Sequence, residues 1–256
     1  MKVEIGEILS DDDQIVLERI REYGKAWIVG GWVRDFISGK GTRGYLDIAT
    51  TLEPHQVKEI FPRTILVGEK YGTVIVRLDD DSHQGFWEVT TLRSDGGYGD
   101  GRRPDNVSFG EDIMVDLSRR DFTINAMAID EKGNVIDIDG KGLEDLSSGI
   151  LRTVGDSAER ISEDGLRIMR AFRFLDGSEA GVRELDSGLS SAIKSNVHML
   201  ERVSKERIWA ELRMILSGDN IREILESMGG HGILDSILPG IKHNYNLKFS
   251  KNPRVN

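Results

Sequence analysis

Apolar and polar positions follow two different patterns along the chain, and the change falls near residue 148. Before it, short apolar runs separated by polar turns predict strands at residues 26–29, 64–67, 73–78 and 86–92. From residue 156 onward, apolar side chains recur at helical spacing and predict one helix after another. We therefore expect an α+β fold, with a small mixed sheet and helices over residues 1–148 and an all-helical part over residues 149–256.

Local signals refine this outline. Ser10 followed by Asp13 predicts the start of a first helix, because both side chains can bond to free backbone N–H groups there. Residues 93–110 are rich in glycine, have no apolar periodicity and predict a long loop. The sequence after this loop predicts a mainly helical segment at 111–129, a strand at 135–138 and a connector at 139–155.

Composition and charge exclude several classes of protein. The chain has 256 residues, no Cys and five scattered His residues, which excludes disulfide frameworks, thiolate metal sites and the common zinc-hydrolase motifs. No apolar run approaches the roughly 20 residues of a membrane span, and no secretory signal is visible. We expect a cytoplasmic protein without a membrane partner. The net charge of −10 disfavours non-specific nucleic-acid binding, although local basic patches can still bind it.

A pair of glycines marks a candidate phosphate site. Gly30 and Gly31 stand between a predicted buried strand and the start of a helix, where backbone N–H groups can approach a phosphate. The helix N-terminus adds partial positive charge, and Arg34 lies one turn further on. A tight turn between strand and helix is the alternative interpretation.

Two carboxylates belong to predicted strands, one near a strand end and one within a strand. Asp47 lies near one strand end, and alternation places Glu88 on the opposite face from Trp87 and Val89. Magnesium prefers carboxylates combined with substrate phosphates, so acids on neighbouring strands would suit it. Solvent exposure of Glu88 is the alternative.

Two further clusters combine arginines with acids. In the first, Arg120 is a candidate phosphate ligand, and Asp121 and Asn125 lie four residues apart; a charged helix start is the alternative. In the second, Asp164 and Arg167 could read a base edge, because the carboxylate accepts from an exocyclic amine and the guanidinium donates to a ring nitrogen. Cytosine and adenine present that order of groups, whereas guanine and uracil present the reverse. Solvated ion pairs are the alternative for this second cluster.

Five motifs follow one another in an order that is specific in combination. They are Gly30-Gly31-x-Val33-Arg34-Asp35, Asp47-Ile48-Ala49-Thr50, Glu88-Val89-Thr90-Thr91, the run RRDFTINAMA from Arg119, and Glu163-Asp164-x-x-Arg167. Together they resemble the motifs of the class II tRNA nucleotidyltransferases, or CCA-adding enzymes, whose superfamily includes bacterial poly(A) polymerases. The resemblance covers roughly residues 20–216.

The resemblance implies a polymerase-β-like nucleotidyltransferase head, a helical neck and the start of a helical body. It implies an enzyme that adds C, A or both from CTP and ATP to the 3′ end of tRNA, with Mg²⁺ as cofactor. The implied roles are triphosphate binding by Gly30, Gly31, Arg34 and Asp35, metal binding and catalysis by Asp47 and Glu88, phosphate and ribose contacts by Arg119, Arg120, Asp121 and Asn125, and base selection by Asp164 and Arg167 with support from Glu163, Arg170 and Arg173.

The chain departs from the family pattern at Tyr45. The family has a metal-binding carboxylate there, and a neutral phenol is a poor ligand for Mg²⁺. No acid between Gly39 and Leu46 could replace it. Either the activation barrier is raised by several kcal/mol and catalysis is impaired, or the protein is an inactive nucleotide- or tRNA-binding relative.

Further features bear on the choice within the superfamily. Residues 67–73 resemble the tRNA nucleotidyltransferases more than the poly(A) polymerases, and the loop at 93–104 favours CCA or A addition over addition of CC alone. Family members usually continue with more body and tail helices, whereas this chain stops at Asn256. We therefore expect a truncated or compact member, or one in which a homodimer or a second chain completes the tRNA site.

Overall fold

The structure is a computed structural model that describes residues 1–6, 8–40, 46–67, 72–78, 85–96 and 106–240. Tyr45, the turn at 79–82 and most of the segments 67–73 and 93–104 lie outside these residues, so the predictions made for them stay predictions. The strands are β1 Ala26–Val29, β2 Asp47–Thr50, β3 Arg63–Leu66, β4 Thr73–Arg77, β5 Trp87–Thr91, β6 Arg93–Gly96, β7 Asn106–Phe109, β8 Met127–Ile129, β9 Val135–Asp137, β10 Ile150–Leu151 and β11 Glu184–Leu185. The helices are α1 Asp11–Arg21, α2 Gly30–Ile37, α3 Pro54–Ile60, α4 Ile113–Ser118, α5 Lys141–Ser148, α6 Ser157–Glu163, α7 Leu166–Leu175, α8 Ser187–Asn196, α9 Lys205–Leu216, α10 Ile221–Gly230 and α11 Ile233–Ile237.

The first half of the chain is built on one mixed sheet with the strand order β3-β4-β5-β2-β1-β8-β9. Strands β2 and β5 are parallel, and the other neighbouring pairs are antiparallel. The predicted strands and the predicted capping box of Ser10 and Asp13 are confirmed. One sheet face carries buried side chains such as Ile28, Ile48 and Trp87, which pack with residues of α1, α2 and α3.

The other face of the sheet holds the chemistry. A hydrophobic cluster covers only part of this face, and in it Val29 and Ala49 of the sheet pack with Leu117 of α4. Along β5 buried and less buried residues alternate, so Glu88 projects from this second face while Trp87 does not. This face is therefore free to border a polar cleft.

Helix α7 forms the centre of the second half. Its Leu166, Ile168, Met169 and Phe172 are buried, as their helical spacing predicts, and they share one core with residues of α8 to α11. Phe122 of the first half belongs to the same core, so the two halves pack directly against each other.

Three predictions of local structure are wrong. The loop predicted at residues 93–110 is wrong at its two ends, which form the antiparallel pair β6 and β7, while residues 97–105 lie outside the described part of the chain. The residues of both strands are mostly polar or glycine, so no apolar alternation marks them in the sequence. Residues 111–129 are not one helix, because α4 is followed by a single 3₁₀ turn and by β8, which pairs with β1. Residues 139–155 include α5 and are not only a connector; the glycines at 140 and 149, which stand at the two ends of this short helix, led to the wrong prediction.

The prediction that everything after residue 149 is helical is also wrong in detail. Strands β10 and β11 form a short parallel pair. Two residues per strand are too few for a period-two pattern to be seen in the sequence. Across the residues that the structure describes, no helix is both long and apolar enough to cross a membrane.

Candidate active site

Asp47 and Glu88 are direct neighbours on the parallel strands β2 and β5. Residues in register across a parallel pair share a face, so both carboxylates project from the polar face of the sheet. Burial raises the pKa of Asp47 and the charge of Glu88 raises it further, while Arg120 and Arg34 act in the opposite direction. Two acids held together against their repulsion are a donor set that fits a divalent cation.

The described residues contain no group of three His, Cys, Asp or Glu side chains arranged to hold a metal ion. Within the described residues, Asp47 and Glu88 therefore form a pair of possible metal ligands without a third His, Cys, Asp or Glu side chain beside them. The position next to them in the sequence motif, Tyr45, lies outside the described residues.

Gly30 allows the chain to turn from β1 into α2 beside Asp47. Its φ of +71° lies in the left-handed region, where a residue with a Cβ is strained. A methyl group here would also lie 3.0 Å from Asp47 Oδ2. Glycine thus serves both the backbone turn and the close approach to the carboxylate.

Two hydrogen-bond partners hold the Arg34 side chain in place. Its Nε donates to Asp35 Oδ1 at 2.9 Å, and its Nη1 donates to Asn125 Oδ1 at 2.7 Å. The second bond connects α2 with the 3₁₀ turn at Thr123–Asn125. The guanidinium is therefore held in place before any ligand arrives.

Asp116 is a buried acid that the sequence analysis missed. It accepts hydrogen bonds from Arg119 and Arg120, which follow it by three and four residues. Burial alone would raise the pKa of Asp116, but the charges and hydrogen bonds of the two arginines outweigh it and lower the pKa. The i, i+3 and i, i+4 spacing was the signal that could have revealed this arrangement.

Asp121 and Asn125 come together as predicted, although not on an α-helix. Asn125 Nδ2 donates to Asp121 Oδ1 at 3.3 Å, and Arg170 Nε donates to Asp121 Oδ2 at 2.7 Å. Both Asp121 and Asn125 are buried. Asp121 therefore joins the first half of the chain to α7.

Asp164 and Arg167 border the same cleft, but each has another partner. Arg207 of α9 grips Asp164 with two nitrogens, at 2.6 and 3.3 Å from the carboxylate oxygens. Arg167 pairs with Glu163, which also accepts from Arg160 at 3.1 Å. Asp164 lies just before α7 and not on it, whereas Arg167 lies in the first turn of that helix.

Glu211 is a second buried acid that the sequence analysis did not assign. Its carboxylate lies 2.8 Å from Arg173 Nε and 3.7 Å from Arg170 Nη1. Glu211 follows Arg207 by four residues, so both face α7 from one side of α9. On α9, Glu211 therefore pairs with an arginine of α7, while Arg207 pairs with Asp164 just before that helix.

These groups line one cleft of about 560 Å³ between the sheet and α7. All the predicted site residues line it except Asp35 and Glu163, which contact it through their ion pairs with Arg34 and Arg167. Among the described residues it is lined by seven arginines and four acids, namely Arg34, Arg93, Arg119, Arg120, Arg167, Arg170, Arg173, Asp47, Glu88, Asp121 and Asp164. In a chain of net charge −10 this local excess of arginine favours an anionic ligand.

Models of two protein families match most of this chain. A family model described as "Poly A polymerase head domain" matches residues 26–152, and one described as "Probable RNA and SrmB- binding site of polymerase A" matches residues 184–244. The CCA-adding enzyme of Lactococcus lactis subsp. cremoris (strain MG1363) is 45% identical over 210 residues, 82% of this chain and 51% of that protein. The chain belongs to the tRNA nucleotidyltransferase and poly(A) polymerase superfamily.

Other members of the superfamily show the same relation. The CCA-adding enzyme of Geobacillus kaustophilus (strain HTA426) is 41% identical over 228 residues, 88% of this chain and 54% of that protein. The crystal structure of the Bacillus stearothermophilus CCA-adding enzyme in complex with CTP superposes with a TM-score of 0.79 at 36% identity, covering 93% of this chain and 57% of that chain. This likeness confirms the predicted α+β fold with a polymerase-β-like head. The chain spans about half the length of the curated relatives it matches.

Proposed function

We propose that this superfamily member is a tRNA nucleotidyltransferase that adds C and A from CTP and ATP to the 3′ end of tRNA without a nucleic-acid template. The observation that carries the proposal is the arginine-rich cleft whose lining includes Asp47 and Glu88. A solved tRNA nucleotidyltransferase in complex with a primer tRNA and an incoming ATP analog is also similar, with a TM-score of 0.69 at 28% identity over 88% of this chain and 63% of that chain.

The triphosphate is assigned to the end of the cleft formed by Gly30, Gly31 and Arg34. The backbone N–H groups at the start of α2 and the prearranged Arg34 are donors suited to phosphate oxygens. Arg119 and Arg120 are oriented by Asp116, so they too can present donors without first becoming ordered.

Asp47 and Glu88 would hold Mg²⁺, together with substrate phosphates. When bound, Mg²⁺ would neutralise phosphate charge and favour ionisation of the primer 3′-hydroxyl. Because Tyr45 occupies the position where the family has its first metal-binding carboxylate, nucleotide transfer is expected to be slower than in a protein that has a carboxylate there.

Base selection is assigned to Asp164 and Arg167. Asp164 accepts from the exocyclic amine of cytosine or adenine, and Arg167 donates to the adjacent ring nitrogen. Because Arg207 and Glu163 hold these two side chains in place, a base that presents the reverse pattern would set its ring N–H against the guanidinium and its carbonyl oxygen against the carboxylate.

Tyr45 supports a second candidate, a nucleotide- or tRNA-binding protein that has lost transfer activity. A poly(A) polymerase is the third candidate from the same superfamily. A cytoplasmic location, and a homodimer or second chain that completes the tRNA site, stay predictions.

Equilibrium binding of CTP, ATP, UTP and GTP with and without Mg²⁺ tests the proposal. An enzyme should bind CTP and ATP more tightly when Mg²⁺ is present, whereas metal-independent binding would favour the non-catalytic candidate. Arg167→Ala should lose the preference for CTP over UTP, and unchanged selectivity in that variant would overturn the assignment of the template.

A further inference from the structure

Phe174, near the end of α7, lies against three arginines of the cleft. The distances from the guanidinium carbons to the ring centroid are 5.1 Å for Arg34, 5.2 Å for Arg170 and 4.2 Å for Arg173. Arg34 comes from α2 in the first half of the chain, whereas the other two belong to α7. One aromatic ring therefore contacts cations from both sides of the cleft.

The three guanidiniums carry the same charge and would repel one another at short range. Each has its own acidic partner away from the ring: Asp35 for Arg34, Asp121 for Arg170 and Glu211 for Arg173. Phe174 is the group that all three share. The negative potential above an aromatic ring attracts a cation, so the ring favours an arrangement that charge repulsion opposes.

The ring is itself held in place. Phe122, which is fully buried, meets it edge to face with centroids 5.7 Å apart and an interplanar angle of 72°. Arg183 Nη1 donates to the Phe174 carbonyl oxygen at 2.8 Å. The contact with Phe122 restrains the ring and the bond from Arg183 restrains the backbone that carries it, so the three arginines surround a ring that is held in place.

We infer that Phe174 is a positioning residue that holds Arg34, Arg170 and Arg173 in the orientation that receives the anionic nucleotide. This inference rests on the proposed function, because it assumes that the cleft binds a nucleoside triphosphate. Phe174 acts through the arginines and not on the reacting atoms. Its loss should therefore weaken nucleotide binding more than it slows the chemical step.

The test compares Phe174→Leu with Phe174→Tyr and with a matched control, Phe172→Leu. Phe172 lies on the same helix but is fully buried and meets the ring of His231 at 5.5 Å. The measurements are the dissociation constant of Mg·CTP by calorimetry, and KM and kcat for the extension of tRNA. Phe174→Leu should weaken CTP binding and raise KM about tenfold with little change in kcat, in line with the loss of several cation–π contacts.

Phe174→Tyr keeps the ring and should bind CTP within about twofold of the wild-type protein. Phe172→Leu should lower thermal stability and leave CTP affinity unchanged. If Phe174→Leu does not fold, Phe174→Met replaces it. The inference is overturned if the ring-free variant binds CTP normally, if Phe174→Tyr loses as much as Phe174→Leu, or if Phe172→Leu causes the same loss of affinity.

The binding measurement separates this inference from the proposed function. A wild-type protein that binds CTP but transfers nothing would contradict the proposed activity, while the affinities of the variants would still decide the role of Phe174. A wild-type protein that binds no CTP would overturn both.

Discussion

Arg207 of α9 forms a two-point ion pair with Asp164, the carboxylate assigned to base recognition, with a shortest distance of 2.6 Å. A bidentate pair fixes the plane of the carboxylate as well as its position. The base-selecting end of the cleft therefore depends on a residue of a different helix, 43 positions further along the chain.

Arg207→Ala should lower selectivity for CTP over UTP, because Asp164 becomes free to rotate. We expect the ratio of kcat/KM for the two nucleotides to fall about tenfold, the effect of roughly 1.4 kcal/mol. Arg213→Ala removes an exposed arginine of the same helix and should leave the ratio unchanged. Equal ratios in wild type and Arg207→Ala would contradict a positioning role for Arg207.

Gly30→Ala should impair the site beyond its effect on stability. Gly149 has a similar φ of +67° but open space where a methyl group would lie, whereas the methyl at Gly30 would crowd Asp47. Both alanine variants should lose about 1–2 kcal/mol of stability. Nucleotide binding in the presence of Mg²⁺ should weaken only in Gly30→Ala, and normal binding there would contradict the crowding argument.

Mg²⁺ should raise the unfolding temperature of the protein through Asp47 and Glu88. The cation binds the folded state and relieves repulsion between the two carboxylates. Each kcal/mol of stabilisation corresponds to roughly 2–4 °C at this chain length. Asp47→Asn should abolish the shift, while Asp11→Asn, at an exposed position of α1, should retain it. A shift that survives in Asp47→Asn would place the cation elsewhere.

The ion pair of Asp121 and Arg170 predicts a dependence of stability on pH. Burial alone would raise the pKa of Asp121, but Arg170 and the hydrogen bonds from Phe122 and Asn125 lower it below the ordinary value of 3.8. A lowered folded-state pKa stabilises the fold above pH 3.8, and this contribution is lost as the pH falls through the folded-state value.

Asp121→Asn should accordingly reduce the free energy of unfolding by about 3 kcal/mol at pH 7. The difference from the wild-type protein should shrink on acidification. Denaturant titrations at several pH values measure this difference. Asp219→Asn changes an exposed acid outside this ion pair and should stay within about 0.5 kcal/mol of wild type. A difference that is independent of pH would show that Asp121 is not stabilised as an anion.

The sequence predicted the parts of the molecule whose signals are local. The strands of the main sheet have apolar patterns, and Gly30 with Asp47 belongs to recognisable motifs. The acidic partners of the site arginines, Asp116 and Glu211, were not predicted. In the sequence they look like any exposed acid, and only the fold buries them against Arg119 and Arg173.

The helical prediction for residues 111–129 failed for a related reason. Its apolar stretch, residues 122–129, is entirely buried, and such a stretch has no polar face from which to tell a helix from a strand. Pairing of β8 with β1, a tertiary contact, decides the outcome.

Extension of a tRNA that ends at its discriminator base, with Mg²⁺ and labelled CTP and ATP, tests the central claim most directly. The proteins to compare are the chain as it stands, Tyr45→Asp, and Tyr45→Asp combined with Asp47→Asn. The account predicts that Tyr45→Asp adds C and A, that the unchanged chain does so at least about a hundredfold more slowly, and that the double variant adds nothing. Absence of extension by Tyr45→Asp, or extension that persists without Asp47, would contradict it.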